Sequence, residues 1–500
     1  MTDFHFHAHT DIEKLTETFL QDRKAHPEHY RSDEGGIFPS ENLLVPSAGM
    51  FQWLKQIRMD HGEALLGAKT KDIPQGIREI LHRLCPAFTP ELYTADVMKW
   101  GVFHLLHGLL ESPPEEAPWA PLLDYLRSSE GTGEDQEVRL YSFAGRIALL
   151  FDQYQSYLPH TLSAWARGDS LTCALEKGKT SLDKKLQWQP LLWHKLHEHL
   201  GGGSLAEALD HVLSSEGKGP LPPVTVFGAT MMPPPYLRLL KQYSQRGVVN
   251  FYYHGPCREF WGDNRPTKKV EEGFFQNSLL ADNARQAQDF FNLLVEEGLL
   301  SAGEEEEAGA PPQPASLLQA LQEQVRNNTC PPKDNPFPET VDDSLTFHLC
   351  HSPRRQVEVL RDLLLYLLKT HNTARKSVLT LNDILVMAPD ITLFAPAIKA
   401  VFDASPLKGR YAVTDRTLRQ TNLLAETFLK ILQLPESGFA FSWIDALLDS
   451  QPLCQRFAFS PEAITDIRQW IREGRAHLGY DAKSRKEDFA HRGIEGVTEE

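Results

Sequence analysis

Apolar residues in the first part of the chain follow two spacings, one typical of strands and one typical of helices. Residues 4–8 alternate apolar and polar, as a strand with one buried face does. Residues 12–25 have helical spacing, and residues 43–45 form a continuous apolar run of the kind found in buried parallel strands. A short turn then leads into a helix predicted over 50–60. These spacings predict strand–helix units that build a parallel sheet.

The next stretch, residues 75–215, shows only helical spacing, so it predicts a helical insertion into the first α/β domain. Strand signals return at 224–228 and 248–253, with a helix predicted between them. We therefore assign residues 1–74 to the first part of an α/β domain and residues 216–262 to its continuation.

The second half of the chain repeats this organisation. Residues 263–343 are polar and rich in Gly, Pro and Glu, apart from a helical piece around 284–295, and this predicts a linker-rich connection. Residues 344–422 predict a second α/β domain, with strands at 345–349 and 384–387 on either side of a helix. Residues 423–500 are helical again and are expected to begin a second insertion.

The predicted fold class is thus α/β, with two α/β domains that each receive a helical insertion. This layout is typical of superfamily 1 helicases, whose domains have the P-loop NTPase fold. A working motor of that class needs a glycine-rich turn with a Lys to hold the nucleotide phosphates, and acidic residues to hold Mg²⁺. An active motor would therefore carry both motifs in addition to this layout.

Both halves of a nucleotide site are missing from the sequence. The turn at 46–50 contains one Gly and no Lys, and the strand at 224–227 is followed by Gly228 and Ala229 instead of acids. The one Gly-Lys-Thr, at 178–180, has Cys173 where the first Gly should be, and no strand precedes it. We expect a degenerate motor fold with no catalytic residues, nucleotide, metal or other cofactor.

Charge and composition limit the classes of function that this chain can have. The formal net charge of −16 argues against a protein that coats nucleic acid with its whole surface, although it permits a local basic channel. The six cysteines are scattered without a CxxC pair, which favours reduced structural thiols. No signal peptide or membrane-spanning apolar run is present, so we expect a cytoplasmic protein.

Alternating histidines near the N-terminus offer a competing enzymatic hypothesis. His5, His7 and His9 share one face of the predicted strand, as in the opening motif of some metal-dependent phosphoesterases. Such a site needs further ligands, and only His254 and His351 are candidates. The alternative is a solvent-facing first strand without metal.

Two arginines at a helix start are candidates for DNA contact. Ser352 is a good helix cap, and Arg354 and Arg355 follow in the first turn, where the helix dipole disfavours cations. A bound phosphate would offset that cost, and pairing with Glu358 would do so as well. The sequence leaves both interpretations open.

Four tryptophans are candidates for stacking on unpaired bases, and packing in a core is the alternative for each. They are Trp53, Trp188, Trp193 and Trp261.

Several longer motifs are more specific than the layout, and they occur in order along nearly the whole chain. The strongest are LLVPSAGMFQWL at 43–54, LFDQY at 150–154, WQPLLW at 188–193, PCREFWGD at 256–263 and CHSPRRQVEVL at 350–360. Together they resemble the RecC family, the gamma subunits of exodeoxyribonuclease V. The family is roughly twice as long as this chain, so we expect a fragment or a truncated reading frame of its N-terminal half.

The resemblance implies a subunit without ATPase activity that handles DNA ends and unwound single strands, with a RecB-like helicase-nuclease and a RecD-like helicase as partners. It also implies that the first domain and its insertion read the recombination hotspot Chi. Gln52, Asp152 and Gln153 match the family's residues there, whereas Pro46, Ala48 and Leu158 replace polar readers in this chain.

Because DNA bases are recognised through hydrogen bonds, loss of these polar side chains predicts that the recognised DNA sequence is relaxed or changed.

An AddB-type subunit is a further alternative. Such a subunit shares the inactive motor fold and carries cysteines that bind an iron–sulfur cluster near its C-terminus.

Overall fold

The computed structural model of the protein describes residues 3–31, 40–62, 68–85, 88–112, 117–127, 133–169, 186–215, 219–266, 276–300, 316–330, 342–374, 379–414, 422–474, 481 and 483. It divides into two compact units, Met1–Leu345 and Thr346–Glu500. The Gly-Lys-Thr at 178–180 lies outside the described residues.

The first unit is built on a parallel sheet of five strands, in the spatial order β1-β5-β4-β2-β3. The strands are β1 Phe4–His9, β2 Glu41–Val45, β3 Ala68–Asp72, β4 Val224–Phe227 and β5 Val249–His254. The α/β class predicted from the spacings is confirmed for this unit. The carboxyl ends of all five strands lie at one edge, where parallel α/β sheets place their ligand sites.

Helices cover both faces of this sheet. On one face, Leu43 and Phe227 pack against Phe19 of α1 (Ile12–Ala25) and Leu54 of α2 (Ala48–Asp60). On the other face lie α3 (Ile73–Leu84), α9 (Leu205–Ser214), α10 (Pro234–Tyr243) and α12 (Arg285–Glu296). Both faces of the central strands are buried, which explains their continuous apolar sequences.

The helical insertion has a separate hydrophobic core. Its helices are α4 Ala95–Glu111, α5 Ala120–Arg127, α6 Gly133–Tyr157, α7 Pro159–Ala166 and α8 Trp188–Leu200. Phe151 and Trp193, both fully buried, meet edge to face at 5.2 Å near the centre of this core. Burial of an apolar side chain of this kind contributes about 1.5–3 kcal/mol, so the packing of α6 against α8 stabilises the insertion.

A buried ion triad joins the sheet to two helices. Glu41 accepts hydrogen bonds from Arg23 Nε at 2.8 Å and from Arg58 Nη1 at 3.1 Å. The three side chains are between 1% and 5% exposed. One carboxylate thus neutralises part of the charge of two guanidinium groups and fixes α1 and α2 at the start of β2.

The stretch predicted as a linker-rich connection contains packed structure. Besides α12 it forms α11 (Ser278–Asn283) and α13 (Leu317–Arg326). Trp261 is 1% exposed and contacts Phe291 at 5.5 Å, and Asn264 exchanges hydrogen bonds with Asn328. The polar side chains here form hydrogen bonds between short helices, of which the spacing predicted only the piece around 284–295.

All elements of the described part of the second unit are helical. They are α14 Pro353–Ala374, α15 Ile391–Phe402, α16 Leu423–Leu432, α17 Phe441–Leu448, α18 Gln451–Phe457 and α19 Pro461–Glu473. A small core forms where Val357 and Leu364 of α14 meet Ile398 and Phe402 of α15.

The two strands predicted in this unit are wrong. Residues 345–349 and 384–387 form no strand in the described part of the chain. Phe347 is 90% exposed and Met387 84% exposed, although both belong to apolar patterns typical of buried strands. An alternating or apolar pattern indicates which side chains a sheet would bury. A strand forms only where a neighbouring strand also pairs its backbone N–H and C=O groups.

The four candidate tryptophans pack in or against hydrophobic cores, which was the alternative to stacking on bases. Trp188, Trp193 and Trp261 are at most 7% exposed and belong to cores. Trp53, on α2, is partly buried against the core between α2 and the sheet.

The cysteines of the described residues are free thiols. Within the same residues, no helix has both the length and the apolar character to cross a membrane.

Candidate functional site

A cavity of about 440 Å³ opens at the carboxyl edge of the sheet, where the first α/β domain meets the helical insertion. Side chains from both parts line it: Pro46, Ile73, Pro74, Arg78, Asp152, Gln153, Ser156, Tyr157, Thr230, Met231, Pro233 and Tyr236. This volume lies within the range of small-ligand sites, and it is open on one side.

Four parts of the chain form the walls of the cavity, and local sequence features position them. Pro46 directly follows β2, and Thr230 and Met231 follow β4. Asp72 caps α3 by accepting the backbone N–H of Gln75 at 2.8 Å, which directs the first turn of α3 along the cavity. The fourth wall is the last turns of α6, so the helical insertion completes a site that the sheet begins.

Arg78 and Asp152 set the charge of the cavity. Arg78 Nη2 lies 3.6 Å from Asp152 Oδ1, and both side chains are about one-third exposed. Burial raises the pKa of the Asp152 carboxyl, and the Arg78 charge partly opposes that rise. Arg78 is the one cation among the described lining residues. A phosphate group entering the cavity would compete with Asp152 for this guanidinium.

Hydrogen-bonding groups fill the rest of the polar wall. Ser156 and Tyr236 share a hydrogen bond between their hydroxyl groups at 3.0 Å. Burial raises the pKa of Tyr236, so its hydroxyl keeps its proton. Gln153 is exposed at the rim. These donors and acceptors suit the edges of nucleic acid bases.

The structure brings together two of the residues selected from the sequence. Asp152 and Gln153 line the cavity, whereas Gln52 lies on the exposed side of α2, outside the lining. Arg78 was missed. Its signal in the sequence was weak, because an arginine on the polar face of an amphipathic helix usually contacts only solvent.

Arg354 and Arg355 lie in the second unit, at the start of α14. Ser352 accepts the backbone N–H of Arg355 at 3.3 Å, as a helix cap does. Both guanidinium groups donate to Glu358, at 3.2 Å and 3.1 Å. Hydrogen bonds from Arg355, then Arg354, lower the pKa of Glu358. One carboxylate serves two arginines, so the cluster keeps a net positive charge.

The first turn of α2 lies close to the residue that follows β4. Ser47 caps α2 by accepting the backbone N–H of Met50 at 3.2 Å. Gly228, just after β4, has a φ of 70°, and a Cβ placed there would lie 3.2 Å from Met50 Cε. An acidic side chain at this position would be strained and would meet the Met50 thioether.

The alternating histidines do not converge. His5 stacks on His29 at 5.2 Å, and His7 stacks on Tyr252 at 4.8 Å. His9 Nδ1 accepts the backbone N–H of Asp11, and burial, then Lys14, lowers the pKa of His9. Among the described residues, no group of three or more His, Cys, Asp or Glu is arranged to hold a metal ion. The phosphoesterase hypothesis has no support.

These features define a parallel α/β protein with a helical insertion and a cavity between the two, and comparison with known proteins names its family. Residues 4–328 match the family model of the RecC N-terminal domain, and residues 421–497 match that of the fourth domain of the RecBCD enzyme subunit RecC. The chain belongs to the RecC family. Neither the AddB-type alternative nor the phosphoesterase is supported by these matches.

Curated relatives agree with the family models. The chain is 30% identical to the RecBCD enzyme subunit RecC of Escherichia coli (strain K12), over 89% of this chain and 43% of that protein. It is 27% identical to the Haemophilus influenzae RecC, over 88% of this chain and 44% of the relative. The chain therefore spans less than half the length of these relatives.

Proposed function

We propose that this chain is a DNA-handling subunit, without catalysis of its own, of an exodeoxyribonuclease V complex that acts in double-strand break repair and recombination. The cavity between the sheet and the helical insertion is the observation that carries this proposal. It combines one guanidinium group with hydrogen-bonding side chains, and its open side suits a single strand in passage. Its place at the carboxyl edge is where α/β folds bind nucleotides and other ligands.

Membership in the RecC family supports the partners. The relatives are named as subunits of the RecBCD enzyme. By extension, this chain would bind DNA ends and unwound single strands and would assemble with a RecB-like helicase-nuclease and a RecD-like helicase. The motors of those partners would supply the ATP-driven work.

We further propose that the α/β unit descends from a superfamily 1 helicase domain. The parallel sheet, with a helical insertion between β3 and β4, supports this, because that layout is typical of superfamily 1 helicases.

The cavity is also the place for sequence reading. Asp152 and Gln153 offer a carboxylate and an amide to base edges, and a carboxylate suits the amino group of cytosine. Pro46, also in the lining, offers no side-chain hydrogen bond. We infer that any Chi-like sequence read here differs from that of relatives with polar residues at this wall. Gln52, by family resemblance, and the Arg354–Arg355 cluster remain proposed DNA contacts outside the cavity.

A nucleotide-binding experiment tests the non-catalytic part of the proposal. Purified protein titrated with Mg²⁺-ATP in a calorimeter is expected to show no binding heat, and a phosphate-release assay no turnover above buffer, because the turns after β2 and β4, at 46–50 and 228–230, carry neither a Lys nor an acidic pair to hold the phosphates. A RecB-like subunit measured in parallel is the positive control. Saturable ATP binding that disappears on Met50→Glu would show that the site is open and the proposal wrong.

A further inference from the structure

The helical insertion carries an exposed aromatic cluster that no sequence motif indicated. Trp100 of α4 is 59% exposed, and Tyr141 of α6 is 37% exposed. Their ring centroids are 5.4 Å apart, and Phe103 contacts both rings, at 6.0 Å from Trp100 and 6.2 Å from Tyr141. Large aromatic side chains are costly to leave in water, so a cluster of three at a surface is typical of a binding site.

A cation lies within the same cluster. Lys99 Nζ lies 3.4 Å from the centre of the Tyr141 ring, a cation–π geometry that also fixes the ring. Asp96 and Glu137 are exposed one helical turn before Trp100 and Tyr141. Because these acids weaken attraction for phosphates, stacking on the rings rather than charge would supply most of the affinity for a nucleic acid.

Helix α6 connects this cluster to the cavity. Tyr141 and Asp152 are eleven positions apart (152 minus 141). At 3.6 residues per turn they lie about 20° apart around the helix and about 16 Å apart along it. Between them, the side chain of Lys99 lies across Gly145, with its Cε 3.4 Å from the position that a Cβ would take there, and Leu149 is 59% exposed. One stripe of α6, crossed by Lys99 at Gly145, therefore runs from the aromatic cluster to the cavity.

We propose that a single strand of nucleic acid in the cavity continues along this stripe of α6 and stacks a base on Trp100, with Lys99 beside its phosphate. This inference rests on the proposed function, because it extends the same strand path. The stripe would hold roughly five nucleotides at the ~3.4 Å rise of a stacked strand. Stacking on aromatic rings tolerates every base, so this subsite would bind without sequence preference.

Oligonucleotide length separates the two parts of the path. Fluorescent homothymidine oligonucleotides of about 4 and about 12 nucleotides, within the range of known single-strand sites, are titrated with the full chain. Trp100→Ala is expected to weaken binding of the longer one by roughly 5-fold or more, because stacking is lost, and to leave the shorter one unchanged. Trp100→Phe should restore most of the loss. Trp470→Ala, which removes a tryptophan 67% exposed on α19, is the matched control.

Each other result decides against the inference. Equal binding of the longer oligonucleotide by wild type and Trp100→Ala, with Arg78→Ala still weakening it, overturns the extended path and leaves the proposed function intact. Loss of assembly with a RecB-like subunit on Trp100→Ala, without loss of DNA affinity, makes the cluster a protein interface instead. Absence of binding to either oligonucleotide by the wild type refutes the strand-guiding function and this inference together.

Discussion

Replacing Glu41 by Gln is expected to lower the free energy of unfolding of the first unit by about 3–5 kcal/mol. The substitution keeps the shape of the side chain but leaves Arg23 and Arg58 buried without the carboxylate that both contact. Removing one partner of a buried ion pair costs this much because the buried guanidinium groups lose a neutralising carboxylate that water does not replace. Urea unfolding followed by circular dichroism measures the change from the transition of the first unit.

The control for this prediction is Glu79→Gln, which removes a carboxylate of the same kind from a surface pair with Lys71. Glu79 is 52% exposed, and exposed pairs contribute at most about 1 kcal/mol. If both variants unfolded within about 1 kcal/mol of the wild type, the triad would have no special role. The helices α1 and α2 would then be held by contacts other than the triad, such as the hydrogen bond from Tyr252 to Asp22.

Replacing Arg78 by Ala is expected to weaken binding of a single-stranded oligonucleotide by roughly 5- to 30-fold, or about 1–2 kcal/mol. Arg78 is the one cation among the described residues that line the cavity, so its loss removes the phosphate contact there. The slope of log affinity against log salt should fall by about 0.7, as for one lost phosphate contact. Fluorescence anisotropy at several salt concentrations measures both quantities.

Two matched variants sharpen this result. Asp152→Asn should strengthen non-specific binding, because it removes a carboxylate that lies 3.6 Å from the same guanidinium. Arg238→Ala removes an equal charge from a surface pair with Glu297 and should leave binding unchanged. Equal losses for Arg78→Ala and Arg238→Ala would mean that only total charge matters and that the cavity holds no strand.

The sheet of the first unit was largely predictable because its strands carry their own signal. Strands β2, β4 and β5 are apolar runs buried on both faces, so their sequences identify them without knowledge of their neighbours. Strand β3, with the sequence AKTKD, was missed since it pairs only with β2 at the sheet edge and its sequence is mostly polar. In the second unit the opposite happened, and strand-like sequences such as residues 384–387 remain unpaired.

The site was less predictable because its walls come from distant parts of the sequence. Asp152 was found through family resemblance. Arg78 and Met231 become part of the cavity only because the fold brings α3 and the end of β4 close to α6. The tryptophans show the same limit. The sequence around each residue does not predict that Trp193 is fully buried and Trp100 is exposed, because both lie on helices with similar apolar neighbours.

Reconstitution with partner motors tests the central claim most directly. Unwinding of a blunt duplex is measured with the RecB-like and RecD-like subunits alone, with this chain added, and with its Arg78→Ala variant added. We expect this chain to join the complex and increase strand separation, and the variant to join equally but separate strands less, at unchanged ATP hydrolysis per motor. Unwinding that is the same with and without the chain, or a chain that does not join the complex, would contradict the claim.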